Sequence, residues 1–551
     1  MKRKRIFALL LAAVLLITLT ACGERDNGGE DAERPTLRAY VCADPQTLDP
    51  AMESDPGAQS IIAALYEGLM RVRSDGSGNA AATEGVAKEY TVKNNYDNTV
   101  TYTFTLRSSA RWSDGEKVSA DDFVYAWRRL ADPKRNSPNS ALLRMVSGYD
   151  TVQKTGDTAA LGVEALNEST FAVKLTAPCI YFLDTVCTSP AAVPLRADVV
   201  ESTEGWETHI PAVTNGPFTV SVWERGKGLR AVCNPEYYEN RLVTLDGVDF
   251  VFAASPDEAY TRWKNGEIDY IARLSDRASE ELAAEQGDAF APRPLAVTCC
   301  ALYNHMTDAF SVDALRQAFD MALDREALAE AAGVTAVPAA GLVPYGVTSD
   351  PAVAEDFRTA GGDLFAAYPQ EAAERSAAIR GLLADGGQSL SALRCIYADG
   401  SVPQAAVDAA VGSWRRELGV DITPEPLTQE EFDRCVAEGD FDIALSKLAG
   451  LYNDPMAFLA PLRSEHSVLG YSNPTYDLLL GVAESATDTV ARSAFLHDAE
   501  AMVLEDCAVS PLYFESAAVC SDEWSGILTD CLGRSYFTAA VPAAQAEQNV
   551  F

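Results

Sequence analysis

Apolar and polar residues recur along this chain with two different periods. Val100, Tyr102, Phe104 and Leu106 occupy every second position between Thr99 and Arg107. That spacing sends side chains to one face of a half-buried strand. Phe171, Val173 and Leu175 repeat the pattern. Phe218–Trp223 and Leu229–Cys233 flank the turn Glu224-Arg225-Gly226-Lys227-Gly228, which predicts a hairpin. Helical spacing follows recognisable start signals. Ser119-Ala-Asp-Asp122 precedes Phe123, Trp127 and Leu130; Ser255-Pro-Asp-Glu258 reads as a capping box with proline at the first helical position, closed by Gly266; Thr428-Gln-Glu-Glu431 opens another helix. Ser311 to Gly333 and Val402 to Gly419 are predicted as further helices. The second leads into Val420-Asp421-Ile422, a predicted strand, and Phe441 to Leu445 is predicted as another. Helix, glycine stop and short strand in succession is the rhythm of an α/β fold. No internal repeat is present.

The N-terminus follows a different logic. Lys2, Arg3, Lys4 and Arg5 precede an uncharged run from Ile6 to Thr20, and Leu19-Thr20-Ala21-Cys22 supplies small residues before a cysteine. This order predicts a secretory signal peptide over residues 1–21, because the run is short of the roughly 20 apolar residues that span a membrane. The Leu-Thr-Ala-Cys step resembles the lipobox of bacterial lipoproteins. That resemblance implies cleavage before Cys22 and a diacylglycerol on its thiol, and two acyl chains suffice for stable anchoring. Residues 22–35 are rich in Gly, Asp and Glu and lack large apolar side chains, as in a flexible tether reaching about 20 Å. The expected location is the outer face of the cell membrane, with the body of the chain soluble and monomeric.

Past the expected signal peptide, the rest of the 551-residue chain exceeds one core and predicts two or three domains. Eighty acidic residues against 44 basic give a net charge of −36, a surface that repels nucleic acid. Twelve cysteines are present. Lipid on Cys22 leaves an odd number without a Cys-x-x-Cys framework, so most are predicted to be small buried hydrophobes. Cys179 with Cys187 and Cys520 with Cys531 are near enough in sequence for local bridges.

Catalytic motifs are missing: no G-x-S-x-G, no H-E-x-x-H, no G-x-x-x-x-G-K-[ST]. Asp75-Gly-Ser-Gly78 reads as a turn, and Glu430 with Glu431 as a solvated helix face. Of the histidines His209, His305, His466 and His497, only His305 stands near cysteines, Cys299 and Cys300. A buried strand ending in a polar turn explains that group better than a metal site. Neither metal nor cofactor is expected, and the chain reads as one that binds rather than transforms.

Several segments resemble the peptide/nickel-binding family of bacterial solute-binding proteins, and within it the oligopeptide binders. They are Thr47-Leu-Asp-Pro50, Leu65-Tyr-Glu-Gly-Leu69, Tyr102-Thr-Phe-Thr-Leu-Arg107, Trp112-Ser-Asp-Gly115 and Asp121-Asp-Phe-Val-Tyr-Ala-Trp-Arg128. Further on come Thr214-Asn-Gly-Pro-Phe218, Asn234-Pro235, Gly266-Glu-Ile-Asp269, Leu315-Arg-Gln-Ala-Phe319, Tyr452-Asn-Asp-Pro455 and Pro511-Leu-Tyr513. The resemblance implies two α/β lobes joined by a hinge, with an extra domain inserted in the first. By analogy the first lobe takes 36–65, 194–298 and 511–551, the inserted domain 66–193 and the second lobe 299–510. It also implies capture of a small ligand, a short peptide foremost, between the lobes and delivery to an ATP-driven permease. A nickel chelate, a sugar, a haem or a modified peptide stands as an alternative ligand, and a same-fold sensor or chaperone as an alternative role.

Matching outward from these motifs places Ser54, Asp55 and Pro56 on the first lobe's contact strand and Ala449, Gly450 and Leu451 on the second's. Asn139, Tyr452 and Tyr513 join them as candidate ligand contacts. A glycine at 450 would let a ligand backbone approach closely, or end a strand in a turn. The chain departs from the family where oligopeptide binders carry an aspartate that pairs with the ligand's α-ammonium: that position is Leu451. A buried ammonium without a partner is costly, which turns attention to Asp55 or Asp454 as the missing anion.

Overall fold

The computed structural model describes residues 34–76, 80–211, 213–350, 355–369, 371–386, 390, 393–521 and 523–546. The expected signal peptide, Cys22, nearly all of the tether and Ser77 and Gly78 of the predicted turn lie outside the described residues. Three sheets organise the rest. A five-stranded sheet has the order Tyr270–Ile271, Thr36–Tyr40, Gly247–Val251, Gly228–Cys233, Phe218–Glu224. A six-stranded sheet runs Val337–Pro338, Val509–Ala517, Arg293–Tyr303, Ile443–Ala449, Cys395–Ala398, Pro424–Leu427. Between the first and second strands of the smaller sheet, the chain builds a four-stranded antiparallel sheet from Ala87–Asn94, Val100–Leu106, Thr170–Leu175 and Val163–Asn167.

The alternating stretch at 99–107 becomes Val100–Leu106, and its buried members include Tyr102, Phe104 and Leu106. Helix Ala120–Ala131 covers that sheet, with Trp127 edge-on to Phe171 at 5.3 Å between ring centroids. Its capping box is complete, Ser119 accepting from the Asp122 amide and Asp122 from the Ser119 amide. Thr428 and Glu431 form a second one. At Ser255 only half of the box forms: its hydroxyl accepts from the Glu258 amide at 3.2 Å, while the Glu258 carboxylate turns to the Ala254 amide at 3.0 Å.

Two predicted elements are corrected. The stretch 311–333 is two helices, Asp313–Met321 and Arg325–Ala332, because Asp324 caps the second through the Ala327 amide at 3.1 Å. Val420-Asp421-Ile422 is a connector; the strand is Pro424–Leu427, paired in parallel with Cys395–Ala398. Val420 and Ile422 are buried in the core under the six-stranded sheet, so their alternation reports burial and not strand pairing. The bridges considered at Cys179–Cys187 and Cys520–Cys531 are not formed: these four residues stand as thiols.

The chain crosses twice between the two larger sheets. Arg293–Tyr303 and Val509–Ala517 pair antiparallel from Arg293↔Ala517 to Leu302↔Val509. Both strands lie wholly in the six-stranded sheet, so the boundaries expected at 298/299 and 510/511 fall inside them. Beyond Ala517 the chain returns to the five-stranded sheet, where Cys520 forms a backbone bridge with Ile271. No helix among the described residues is long and apolar enough to cross a membrane.

Candidate functional site

Of the two crossover strands, Val509–Ala517 reaches a cleft through Tyr513, Glu515 and Ser516. Strand Ile443–Ala449 is fully paired along one edge, from Val297↔Ala449 to Tyr303↔Ile443. Along its other edge Cys395–Ala398 covers only Ile443, Ala444 and Leu445. From Ser446 to Ala449 that outer edge has no partner strand among the described residues. A cavity of about 720 Å³ opens between the lobes, lined by Cys42, Asp55 and Arg273 from the first and by Tyr397, Lys447 and Tyr513 from the second. A second cavity, about 690 Å³, lies between the inserted domain and the second lobe, lined by Arg144, Cys179 and Tyr181 on one side and Leu451, Tyr452 and Arg463 on the other. The unpaired edge thus leads from one cavity at Lys447 toward the other at Leu451, four residues or roughly 13 Å of extended chain.

The sequence-derived candidates divide around this edge. Ser54, Asp55 and Pro56 form the start of helix Pro56–Leu65, not a contact strand. Asp55 is the N-cap, its carboxylate accepting from the Ala58 amide at 2.8 Å. The Ser54 and Asp55 amides both donate to one carboxylate oxygen of Glu53, at 2.8 Å each. Pro56 sits at the first helical position, where a missing N–H costs nothing. Of the three, Asp55 lines the interlobe cavity.

Asn139 is buried and lines neither cavity. Its amide donates to the carbonyl of Glu53 at 2.7 Å and of Ala51 at 3.4 Å, fastening the segment that presents Asp55. Ala449 is exposed at the strand end. Gly450 donates to the Ala296 carbonyl at 2.8 Å, and a Cβ on it would stand 3.0 and 3.2 Å from ring atoms of Phe458. The space that excludes a side chain there is filled by the protein's own phenyl ring. Leu451 is 48% exposed and lines the second cavity.

Tyr452 stacks on Tyr181 of the inserted domain, ring centroids 5.6 Å apart and planes 7° apart. The Arg492 guanidinium lies 4.8 Å from the centre of the Tyr181 ring and binds both oxygens of Asp454 at 2.9 and 2.8 Å. Asp454 is fully buried in that pair, so it is not the spare anion considered for the ligand's ammonium. Cys179, which lines the second cavity, has its thiol pushed up to about 12 by burial.

Tyr513 is 2% exposed and lines the interlobe cavity, with the Cys299 thiol beside its hydroxyl. Two positions along the same strand, Glu515 joins the lobes: it binds Arg273 at 2.9 Å and Lys447 at 2.6 Å. Burial works to raise the Glu515 carboxyl, but Lys447 and Arg273 together hold it below the usual carboxylate range. The sequence reading missed all three. The period of two from Tyr513 points to Glu515, but nothing local to 447 or 273 marks its partners.

Comparison with known proteins bears on this arrangement. The model for bacterial extracellular solute-binding proteins, family 5 Middle, matches residues 82–468. The oligopeptide-binding protein OppA of Bacillus subtilis is 26% identical, over 98% of this chain and 99% of its own. The periplasmic murein peptide-binding protein MppA of Escherichia coli is 29% identical, over 90% of this chain and 91% of its own. The solved structure of Burkholderia pseudomallei OppA superposes with a TM-score of 0.73 at 26% identity, covering 93% of this chain and 99% of that one.

Proposed function

The chain belongs to family 5 of the bacterial extracellular solute-binding proteins, and from that premise we propose that it captures short peptides outside the cell and hands them to an ATP-driven permease. The cleft between two α/β lobes is the place of capture. The observation that carries the peptide reading is the outer edge of Ile443–Ala449, left without a partner strand beyond Leu445. An extended peptide adds to such an edge through main-chain hydrogen bonds, which are common to all peptides whatever their side chains. Relatives described as oligopeptide-binding and murein peptide-binding proteins support the same ligand class.

In this reading Ala449, Gly450 and Leu451 contact the ligand from the second lobe, and Asp55 and Tyr513 face it across the interlobe cavity. Ser54, Pro56 and Asn139 act one step back, by holding Asp55 in place. Tyr452 closes the far end against Tyr181. Binding works through hinge closure, which a ligand drives only as far as it prefers the closed form. The protein supplies no chemical step. It acts as a monomer held to the outer membrane face by lipid on Cys22.

Mass spectrometry of small molecules released from the protein purified natively from its host tests the reading. The expected result is a mixture of species separated by amino-acid residue masses. One dominant non-peptide mass would keep the family and discard the peptide.

A further inference from the structure

We propose that a cavity separate from the cleft seats one fatty acyl chain of the lipid carried on Cys22. The proposal rests on the anchoring reading above, not on the peptide reading, and adds to it a place in the fold for that lipid.

The cavity is apolar, and the polar groups in its wall are engaged within the protein. Its volume is about 440 Å³, in the range of small-molecule sites. Met70, Val72, Pro190, Val193, Leu242 and Ile527 line it. None of its lining residues lines either cavity of the cleft. The charges in its wall are Glu67, Arg71 and Arg73. The two oxygens of Glu67 accept from the hydroxyls of Tyr237 and Tyr238. Arg71 and Arg73 both pair with Glu239. Two cations thus stand with two anions, and a charged ligand group would have to break a pair. The Thr188 hydroxyl donates to the Asp184 carbonyl at 2.6 Å, and the Tyr536 hydroxyl to Asp530 at 3.0 Å. Such a wall offers a ligand apolar surface and asks no hydrogen bond of it, which suits a hydrocarbon chain.

Position identifies which chain. The described residues begin at Arg34, and the Pro35 carbonyl accepts from the Asp246 amide at 2.9 Å. Two residues before Asp246, the Thr244 amide donates at 3.2 Å to the carbonyl of Thr538, which lines the cavity. Arg34 and Asn240 also share the Cys233 sulfur, at 3.3 and 3.2 Å. Asn240 opens the short turn Asn240–Leu242, and Leu242 stands 51% exposed on the cavity rim. Two strand spacings and two extended residues put Pro35 within roughly 16 Å of the cavity wall. Residues 22–33 precede Arg34. A segment of that length spans about 20 Å as a random coil and about 40 Å at full stretch. Lipid on Cys22 therefore reaches the rim. So short a tether also holds the chain at an effective concentration on the order of millimolar, which favours it over a free fatty acid. Passage from bilayer to cavity exchanges one hydrocarbon surrounding for another, so it meets no large hydrophobic penalty.

Photo-cross-linking in the native host tests the proposal. Cells are grown with a fatty acid that carries a diazirine, the full chain is irradiated in its membrane, and cross-linked peptides are mapped by mass spectrometry. The expected product joins the Cys22 peptide, through its lipid, to peptides containing Val72, Leu242 or Ile527. Ala63→Phe puts a ring into the cavity, and Leu242→Glu puts a charge on its rim. Each should lower the yield of that product about tenfold, as removing roughly two buried methylenes would. Leu242 is exposed, so Leu242→Glu should keep the wild-type thermal midpoint and serves as the test where Ala63→Phe does not fold. Cys22 lipid cross-linked only to membrane lipid overturns the proposal, as does an undiminished yield in both variants. Cavity peptides labelled by a fatty acid that is not attached to Cys22 overturn it too, and make the cavity a site for free lipid. A Cys22 peptide without lipid overturns the anchoring reading and this proposal with it, and leaves peptide capture untouched.

Discussion

Tyr181 of the inserted domain lies flat against Tyr452 of the second lobe, ring centroids 5.6 Å apart, with the Arg492 guanidinium 4.8 Å from the Tyr181 ring centre. One aromatic ring thus fastens the inserted domain across the mouth of the second cavity. Tyr181→Ala removes a ring that is 6% exposed, together with its stack and its cation–π contact. The expected loss is about 3 kcal/mol of unfolding free energy, read from denaturant midpoints. Tyr181→Phe keeps the ring and should lose less than about 1 kcal/mol. A wild-type midpoint for Tyr181→Ala would show that the stack does not fasten the two domains.

Asn139 stabilises the ligand face from behind. Its two bonds to the carbonyls of Glu53 and Ala51 join the inserted domain to the segment presenting Asp55, beside the Ser137 bond to Ala51 and the Arg129 pair with Asp49. Asn139→Ala takes one of two side-chain donors from each carbonyl, since the Ser137 hydroxyl still donates to Ala51 and the Gln59 amide to Glu53 at 3.1 Å, at a cost of about 1 kcal/mol. Ligand affinity should fall while the binding stoichiometry stays at wild type. Asn139→Asp should be worse than alanine, because it aims a carboxylate at two carbonyl oxygens. An unchanged affinity in both variants would remove Asn139 from the support of the site.

Much of the scaffold was legible before the structure, and the failures have physical causes. Strand Val100–Leu106 and the boxes at Ser119 and Thr428 were readable because their determinants lie within a few residues of each other. The break at Asp324 was missed because apolar spacing continues on both sides of it, and one N-cap bond decides the matter. At Ser54–Pro56 the local signal was there: aspartate before proline is a helix start, and matching by family position overrode it. Asp454 looked like a spare anion because its partner Arg492 is 38 residues away. The same holds for Glu515, whose partners come from residues 273 and 447. Charge pairing between distant segments leaves no trace in either segment alone.

Asp184 gives the stability a definite pH dependence. Burial pushes its carboxyl from 3.8 up to about 6. The folded state therefore binds a proton that the unfolded state releases between these values. A group with a raised folded value contributes stability that is present in acid, below the unfolded value, and lost as pH rises through about 6. Asp184→Asn removes that penalty. The variant should be more stable than wild type at neutral pH by about 1 kcal/mol, allowing for partial exposure, and the difference should vanish near pH 4. Denaturant unfolding across that range measures it. A constant difference at every pH would assign the effect to packing instead.

Membrane attachment depends, in the proposed reading, on one thiol. Cys22→Ala leaves the apolar run Ile6–Thr20 in place but removes the site of acylation. The variant should leave the membrane fraction after signal cleavage, or remain as an uncleaved precursor of higher mass. Fractionation with mass spectrometry distinguishes the two. A processed Cys22→Ala protein that stays with the membrane would show that another element anchors it.

Leu451 provides a counter-test of where the ligand's charge lies. It is 48% exposed at the end of the open strand edge, so Leu451→Asp should change stability by no more than about 0.5 kcal/mol. It places a carboxylate where the family resemblance expects an ammonium to sit, beside the second cavity. If the ligand's cation instead lies in the interlobe cavity that Asp55 lines, at the Lys447 end of the strand roughly 13 Å away, the new carboxylate meets no cation. Leu451→Asp should then leave the preference for a free over an acetylated amino terminus at its wild-type value. A preference sharpened tenfold would instead put the ammonium at Leu451, with the leucine tolerated there at a loss of affinity. Such a gain would have to persist in an Asp55→Asn background, since two separate sites for one ammonium would otherwise be needed.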